Sequence, residues 1–218
     1  MVSYKHKCIY VHIPKTGGSS INHLLLPIKH ERKHLIGNYR SRFQPMEWGL
    51  QHLRASYILG ELGYEIFNKF FKFSFVRNPW DKLVSQYFYT SAVVRHELRE
   101  WVGITIDSTF EEYITKLYNS NPLVLTHPHW AHQHEFLYDL KGNQMVNFIG
   151  KFENFQEDYN QICDILKIER TELPQINKSS PRKEKHYTEF YNDKTRKMVE
   201  TIYKKDIEIF QYKFGEPN

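Results

Sequence analysis

The apolar positions of this chain fall into short runs separated by segments of helical period. The first run, Cys8-Ile9-Tyr10-Val11-His12-Ile13, places β-branched residues at alternate positions and predicts a strand over residues 8–13. A short helical segment over 19–26 stops at Pro27, residues 28–50 lack a clean period and predict loop, and 51–68 predict a helix ending near Asn68. The run Phe70-Phe71-Lys72-Phe73-Ser74-Phe75-Val76 has strand length. After it, Asn78, Pro79 and Asp81 suit an N-cap, a first helical position and a first-turn acid. Trp80, Leu83, Val84 and Tyr87 share one face of that helix, which is expected to pack on the sheet.

Further on, Ser108-Thr109-Phe110-Glu111 reads as a capping box opening a helix through Tyr118. Val146–Gly150 is a third strand candidate. Asn154 caps a helix with Phe155, Tyr159, Ile162 and Leu166 at helical spacing, and a last helix runs over 193–210. Strands alternating with helices imply an α/β fold, a central parallel sheet flanked by helices. No repeat or low-complexity linker interrupts the pattern, so residues 1–218 are expected to form a single domain.

Composition narrows this only modestly. A chain with 40% hydrophobic and 25% charged residues is globular rather than disordered. Its net charge of +5 suits an anionic ligand but is too mild to indicate nucleic acid. The two cysteines, Cys8 and Cys163, fall on apolar positions and make no disulfide framework, so a reducing compartment is expected. No signal-like leader and no run of 18 apolar residues occurs, so a cytoplasmic protein with no membrane partner is expected.

The first strand runs into Pro14-Lys15-Thr16-Gly17-Gly18-Ser19-Ser20. Unpaired N–H groups at a helix start, with the local dipole, favour an anion, and two glycines let the backbone approach it. Lys15 precedes the glycines, so this is not a Walker A loop, which ends Gly-Lys-Ser/Thr. The second strand has the same grammar and runs into Arg77-Asn78-Pro79-Trp80-Asp81. Arg77 offers a planar fork for a phosphate, and Ser85, two turns into the helix, lies on the same side. Ligands of parallel sheets bind beyond the carboxyl ends of the strands. If the two strands are neighbours, Lys15 and Arg77 suit the two ends of one doubly anionic ligand.

On these residues the chain resembles the sulfotransferases that use 3′-phosphoadenosine 5′-phosphosulfate (PAPS), and within them the group related to heparan sulfate 2-O- and chondroitin-type carbohydrate sulfotransferases. The resemblance rests on His12–Ser20 and Phe75–Ser85, with weaker matches at Phe148–Asn154, Asn177-Lys178-Ser179 and Tyr203–Phe210. It implies a P-loop-like three-layer fold with PAPS as co-substrate. By it, the loop of Lys15, Thr16, Gly17, Gly18, Ser19 and Ser20 binds the 5′-phosphosulfate, and Lys15 supports the leaving phosphate. Arg77 and Ser85 hold the 3′-phosphate, and the basic loop with Lys178 and Arg182 covers the nucleotide without a fixed role for either side chain. The eukaryotic relatives are Golgi membrane enzymes; with no anchor expected here, a Golgi glycan is not the expected substrate.

The implied reaction transfers sulfuryl to a hydroxyl acceptor, expected to be a carbohydrate. A general base must take the hydroxyl proton during in-line attack, and histidine suits that near neutral pH. His52 matches the place where relatives carry a catalytic histidine, with Glu47 next. His12 is read as a packed strand residue. Sulfuryl carries less charge than phosphoryl, so no metal is obligatory. The histidines of 127–134 invite a metal reading, but no cysteine and no clear carboxylate complete a set, and none is expected. The resemblance puts His129, Trp130 and Gln133 near the acceptor, with Trp130 either stacking on a sugar or lying in the core. Two alternatives compete: a nucleotide kinase, opposed by the lysine order and the lack of an acidic strand end for Mg²⁺, and a non-catalytic binder of anionic glycan or RNA.

Overall fold

A computed structural model describes residues 1–25, 50–92, 95–174 and 185–216. In chain order its elements are β1 (Val2–Ser3), β2 (Cys8–Tyr10), α1 (Gly18–Leu25), α2 (Ala55–Leu62), α3 (Tyr64–Lys69), β3 (Phe71–Val76) and α4 (Pro79–Thr90). There follow α5 (His96–Val102), α6 (Phe110–Tyr118), α7 (His134–Leu137), β4 (Phe148–Lys151), α8 (Phe155–Leu166), α9 (Asp193–Ile202) and α10 (Lys204–Phe210). The chain forms two compact units, one of Met1–Val76 with Gln133–Ile176 and one of Arg77–His132 with Asn177–Pro217.

The first unit contains the sheet, in the order β1-β2-β3-β4. The strands β2, β3 and β4 are parallel, as the alternation of strands and helices predicts, with Cys8 opposite Phe71 and Phe73 opposite Phe148. β1 adds an antiparallel edge that its two residues are too few to announce. Alternation sets the faces. Cys8, Tyr10, Phe73 and Phe75 join one buried cluster with Ile21 and Leu25 of α1 and Tyr159, Ile162 and Cys163 of α8. Each such side chain contributes roughly 1.5–3 kcal/mol by leaving water. The opposite face carries Ser74, whose hydroxyl donates to the Val11 carbonyl at 2.6 Å. Lys72 is a lysine in a buried strand because its Nζ donates to the Phe67 and Phe70 carbonyls, both at 3.0 Å, closing the C-terminus of α3.

Regular pairing of the first strand ends at Tyr10, three residues short of the expected end, although the Val11 N–H still donates to the Phe73 carbonyl. The helix expected over 51–68 is two helices broken at Gly63, preceded by a 3-10 turn at Leu50–His52. The third strand shifts to Phe148–Lys151. Asn154 holds the N-cap position of α8 but makes no side-chain cap, while Asp158 in the first turn accepts from the Lys151 N–H at 2.6 Å. Both cysteines are buried and free, and burial pushes the Cys8 thiol up to about 12.

In the second unit, α4 starts as expected: Asn78 accepts from the Trp80 N–H at 3.2 Å and Pro79 opens the helix. The expected single apolar face is too narrow a description, since every residue from Pro79 to Gln86 is buried. Trp80 donates from its ring to the Arg196 carbonyl and meets Phe214 edge-on. The capping box of α6 is Thr109 with Glu112, one residue later than expected, and the last helix is two helices parted at Tyr203. Among the described residues no helix is long and apolar enough to cross a membrane.

Candidate functional site

In the first unit the chain leaves the sheet at Tyr10 and turns sharply before α1. Lys15 has φ +69° and Gly17 has φ +83°, two left-handed residues either side of Thr16. For a lysine that conformation is uncommon, and it marks a backbone held by its surroundings. Three contacts hold it. Thr16 is fully buried and its hydroxyl donates to the Ile13 carbonyl at 2.9 Å. A Cβ on Gly17 would lie 2.4 Å from the Phe155 ring, and one on Gly18 would lie 1.9 Å from His12 Nε2. Only glycine fits either place, so the loop is sandwiched between α8 and the His12 ring.

The hydroxyls of this loop divide. Ser19 is exposed at the start of α1, whereas the Ser20 hydroxyl donates to the Pro174 carbonyl at 2.6 Å and is buried. Ser20 therefore ties α1 down, and its contribution to an anion would be its backbone N–H. That N–H itself donates to the Gly17 carbonyl at 3.0 Å. Of the loop residues named above, Lys15 and Gly17 are half-buried and Thr16 and Gly18 are buried.

His52 lies in the 3-10 turn before α2 and is only 7% exposed, not the surface histidine that a helix start would suggest. Its Nδ1 is 3.0 Å from the main-chain oxygen of His12. A carbonyl can only accept, so Nδ1 carries the proton and Nε2 of the neutral ring carries the lone pair. The two imidazoles lie 4.5 Å apart, centre to centre. His12 is buried as expected for a strand residue, and burial, followed by repulsion from His52 when that ring is protonated, from the chain's amino terminus and from Lys15, holds its pKa well below the ordinary histidine value. The first unit thus gathers Lys15, His12 and His52 around one turn of chain. Sequence reasoning assigned His12 no ligand-facing role; its place two residues before Pro14 was the available signal.

In the second unit Arg77 is buried and its Nε donates to Asp81 Oδ2 at 2.6 Å. The four-residue spacing was a signal for this pair, since such residues share a helix face. Ser85, four residues further, is also buried. Lys82 is completely surrounded: its Nζ donates to the His129 carbonyl at 3.1 Å and sits 5.8 Å above the Tyr203 ring. Burial lowers its pKa to about 8 despite the attraction of Asp206, and Arg77 acts in the same direction as burial.

Of the residues expected near an acceptor, Trp130 is fully buried, its ring N–H donating to the Tyr113 hydroxyl at 2.8 Å. A ring with no exposed face cannot stack on a sugar, so Trp130 is a core residue. Gln133 is likewise fully buried. His129 is half-buried, stacks on Tyr89 at 5.3 Å, and its Nδ1 lies 2.8 Å from Gln86 Oε1. Lys178, Arg182 and Glu47 lie outside the described residues.

Comparison with known proteins adds independent information. The model of the sulfotransferase family matches residues 1–213. The chain is similar to carbohydrate sulfotransferase 11 of Mus musculus, 22% identical over 250 aligned positions that cover 97% of this chain and 66% of that protein. The same figures hold for carbohydrate sulfotransferase 11 of Rattus norvegicus. The chain spans just under two thirds of the length of these relatives, 66%. No solved structure matches it.

Proposed function

The chain belongs to the sulfotransferase family, and from that membership we propose that it moves a sulfuryl group from PAPS to a carbohydrate hydroxyl. The observation that carries the proposal is the hydrogen bond from His52 Nδ1 to the His12 carbonyl, which tethers a proton acceptor to the strand end that opens the Lys15 loop. The carbohydrate acceptor follows from the relatives, which are carbohydrate sulfotransferases.

The mechanism follows from charge and geometry. The acceptor oxygen attacks sulfur as the bond from sulfur to the bridging oxygen breaks. His52 Nε2 accepts the hydroxyl proton, and the main-chain tether at Nδ1 keeps the ring in the tautomer that can do so. Negative charge grows on the departing 5′-phosphate, where the Lys15 ammonium and the amides at the start of α1 offset it. The left-handed Lys15 backbone and the buried Thr16 fix these groups before substrate arrives, so little reorganisation is needed at the transition state.

Arg77 and Ser85 are the proposed partners of the 3′-phosphate. Asp81 holds Arg77 by Nε, which fixes the guanidinium proposed to meet the phosphate. His129, in the polar stack with Tyr89 and Gln86, is the proposed acceptor contact that Trp130 cannot be.

Calorimetry with 3′-phosphoadenosine 5′-phosphate (PAP), the product of the donor, tests the donor assignment. Transfer of labelled sulfuryl from PAPS to a panel of glycans tests the acceptor class. Micromolar binding of PAP with transfer to at least one glycan is the expected result. PAP binding with transfer only to non-carbohydrate alcohols would replace the acceptor and keep the donor.

A further inference from the structure

His12 is 7% exposed, and its Nδ1 is buried with no hydrogen-bond partner. An unpaired polar atom in the interior costs on the order of 1–3 kcal/mol and calls for a reason. A buried N–H without an acceptor is rarer than a buried acceptor without a donor. The proton of the neutral ring therefore sits on Nε2, and Nδ1 keeps its lone pair. Nε2 is the atom that a Cβ on Gly18 would meet at 1.9 Å, so it points at the first residue of α1.

The position is specific. The start of α1 is where the family reading places the sulfuryl end of the donor, beside Lys15. Tyr10 stacks on His12 at 5.4 Å and 19°, and His52 packs against it, so the ring cannot swing away. His12 and His52 are thus adjacent imidazoles in opposite tautomers. One presents a lone pair at Nε2 and the other an N–H.

We propose that His12 is a donor-binding residue whose Nε2–H gives a hydrogen bond to a non-bridging oxygen of the sulfuryl group of PAPS. Burial keeps the ring neutral, so it contributes directional donation without adding a second cation beside Lys15. The inference rests on the PAPS reading above and assigns to that site a contact specific to the transferred group, because PAP has no sulfuryl oxygen.

The test compares the two nucleotides by calorimetry in the wild-type protein and in His12→Leu, which reaches no further toward Gly18 than the imidazole and removes the N–H. The expected result is PAPS binding weakened by about tenfold with PAP binding changed by less than about twofold. Nitrogen-15 spectra of the wild-type protein give a second readout that needs no variant: the His12 ring signals move when PAPS is added and stay in place with PAP. Equal losses for PAPS and PAP, no loss for either, or His12 signals indifferent to PAPS would overturn the proposal. If the wild-type protein binds neither nucleotide, it is the donor assignment that fails. If it binds both and His12→Leu loses both equally or neither, His12 alone has been misassigned.

Discussion

His52 Nδ1 donates to the main-chain oxygen of His12 at 3.0 Å, across 40 residues of sequence. The bond is made to backbone, so replacing the His12 side chain does not remove it, whereas replacing His52 removes the proposed proton acceptor. His52→Ala is expected to lower kcat by roughly a hundred- to ten-thousandfold, the usual contribution of a general base. PAP affinity should stay within about twofold, because the base does not touch the nucleotide. Steady-state rates with the identified acceptor and calorimetry on the same preparation separate the two effects.

Gly18→Ala places a methyl group 1.9 Å from His12 Nε2. The ring is confined by Tyr10 and His52, so the first turn of α1 must shift instead. Overpacking of this kind costs about 1–3 kcal/mol in urea unfolding, and PAP binding should weaken more than tenfold. Ser19→Ala, at the exposed next position, is the control and should stay within about 0.5 kcal/mol of wild type.

Asp81→Asn leaves the buried Arg77 guanidinium without its carboxylate. Removing one partner of a buried pair costs about 3–5 kcal/mol, read as a lower urea midpoint. PAP affinity should fall in parallel, since Arg77 loses the contact that aims it. Arg77→Lys should not preserve binding, because a lysine cannot reach Asp81 and a phosphate in the same fork geometry. Wild-type PAP affinity in Arg77→Lys would remove Arg77 from the phosphate assignment.

Lys82 gives a pH signature. Its folded pKa of about 8 lies below the unfolded value of 10.5. Between the two, the unfolded chain binds more protons, so stability rises with pH in that window, by up to about 1.4 kcal/mol per pH unit. Below pH 8 both states are protonated and the burial penalty is present in full. The Cys8 thiol, pushed up to about 12 from 9.0, works in the opposite sense above pH 9. The quantity to measure is therefore wild type minus Lys82→Met in urea unfolding at pH 8.5 and 9.5. A difference that grows in favour of wild type is expected, and a constant difference would show that Lys82 titrates normally.

Much of the fold was legible because it depends on local rules. Alternating Phe73 and Phe75 announced β3, and Asn78 with Pro79 announced the start of α4. What escaped depended on partners distant in sequence. Nothing local shows that Ser20 is taken by Pro174, 154 residues on, or that Trp130 is enclosed by Tyr113. Gly63 and Tyr203 divide helices whose apolar spacing continues across the break, so periodicity alone joins them. The sharp turn of the Lys15 loop was legible from its glycines. That His12 and His52 belong to the same turn of structure was not, because their link is one hydrogen bond to a backbone carbonyl.

The central claim is that the Lys15 loop receives the phosphosulfate end of PAPS. Calorimetric titration of PAP into wild-type protein and into Lys15→Ala tests it most directly. Micromolar binding by the wild type, weakened at least tenfold in Lys15→Ala with the melting temperature unchanged, is the predicted result. Wild-type protein that does not bind PAP, or a Lys15→Ala variant that binds it equally well, would contradict it.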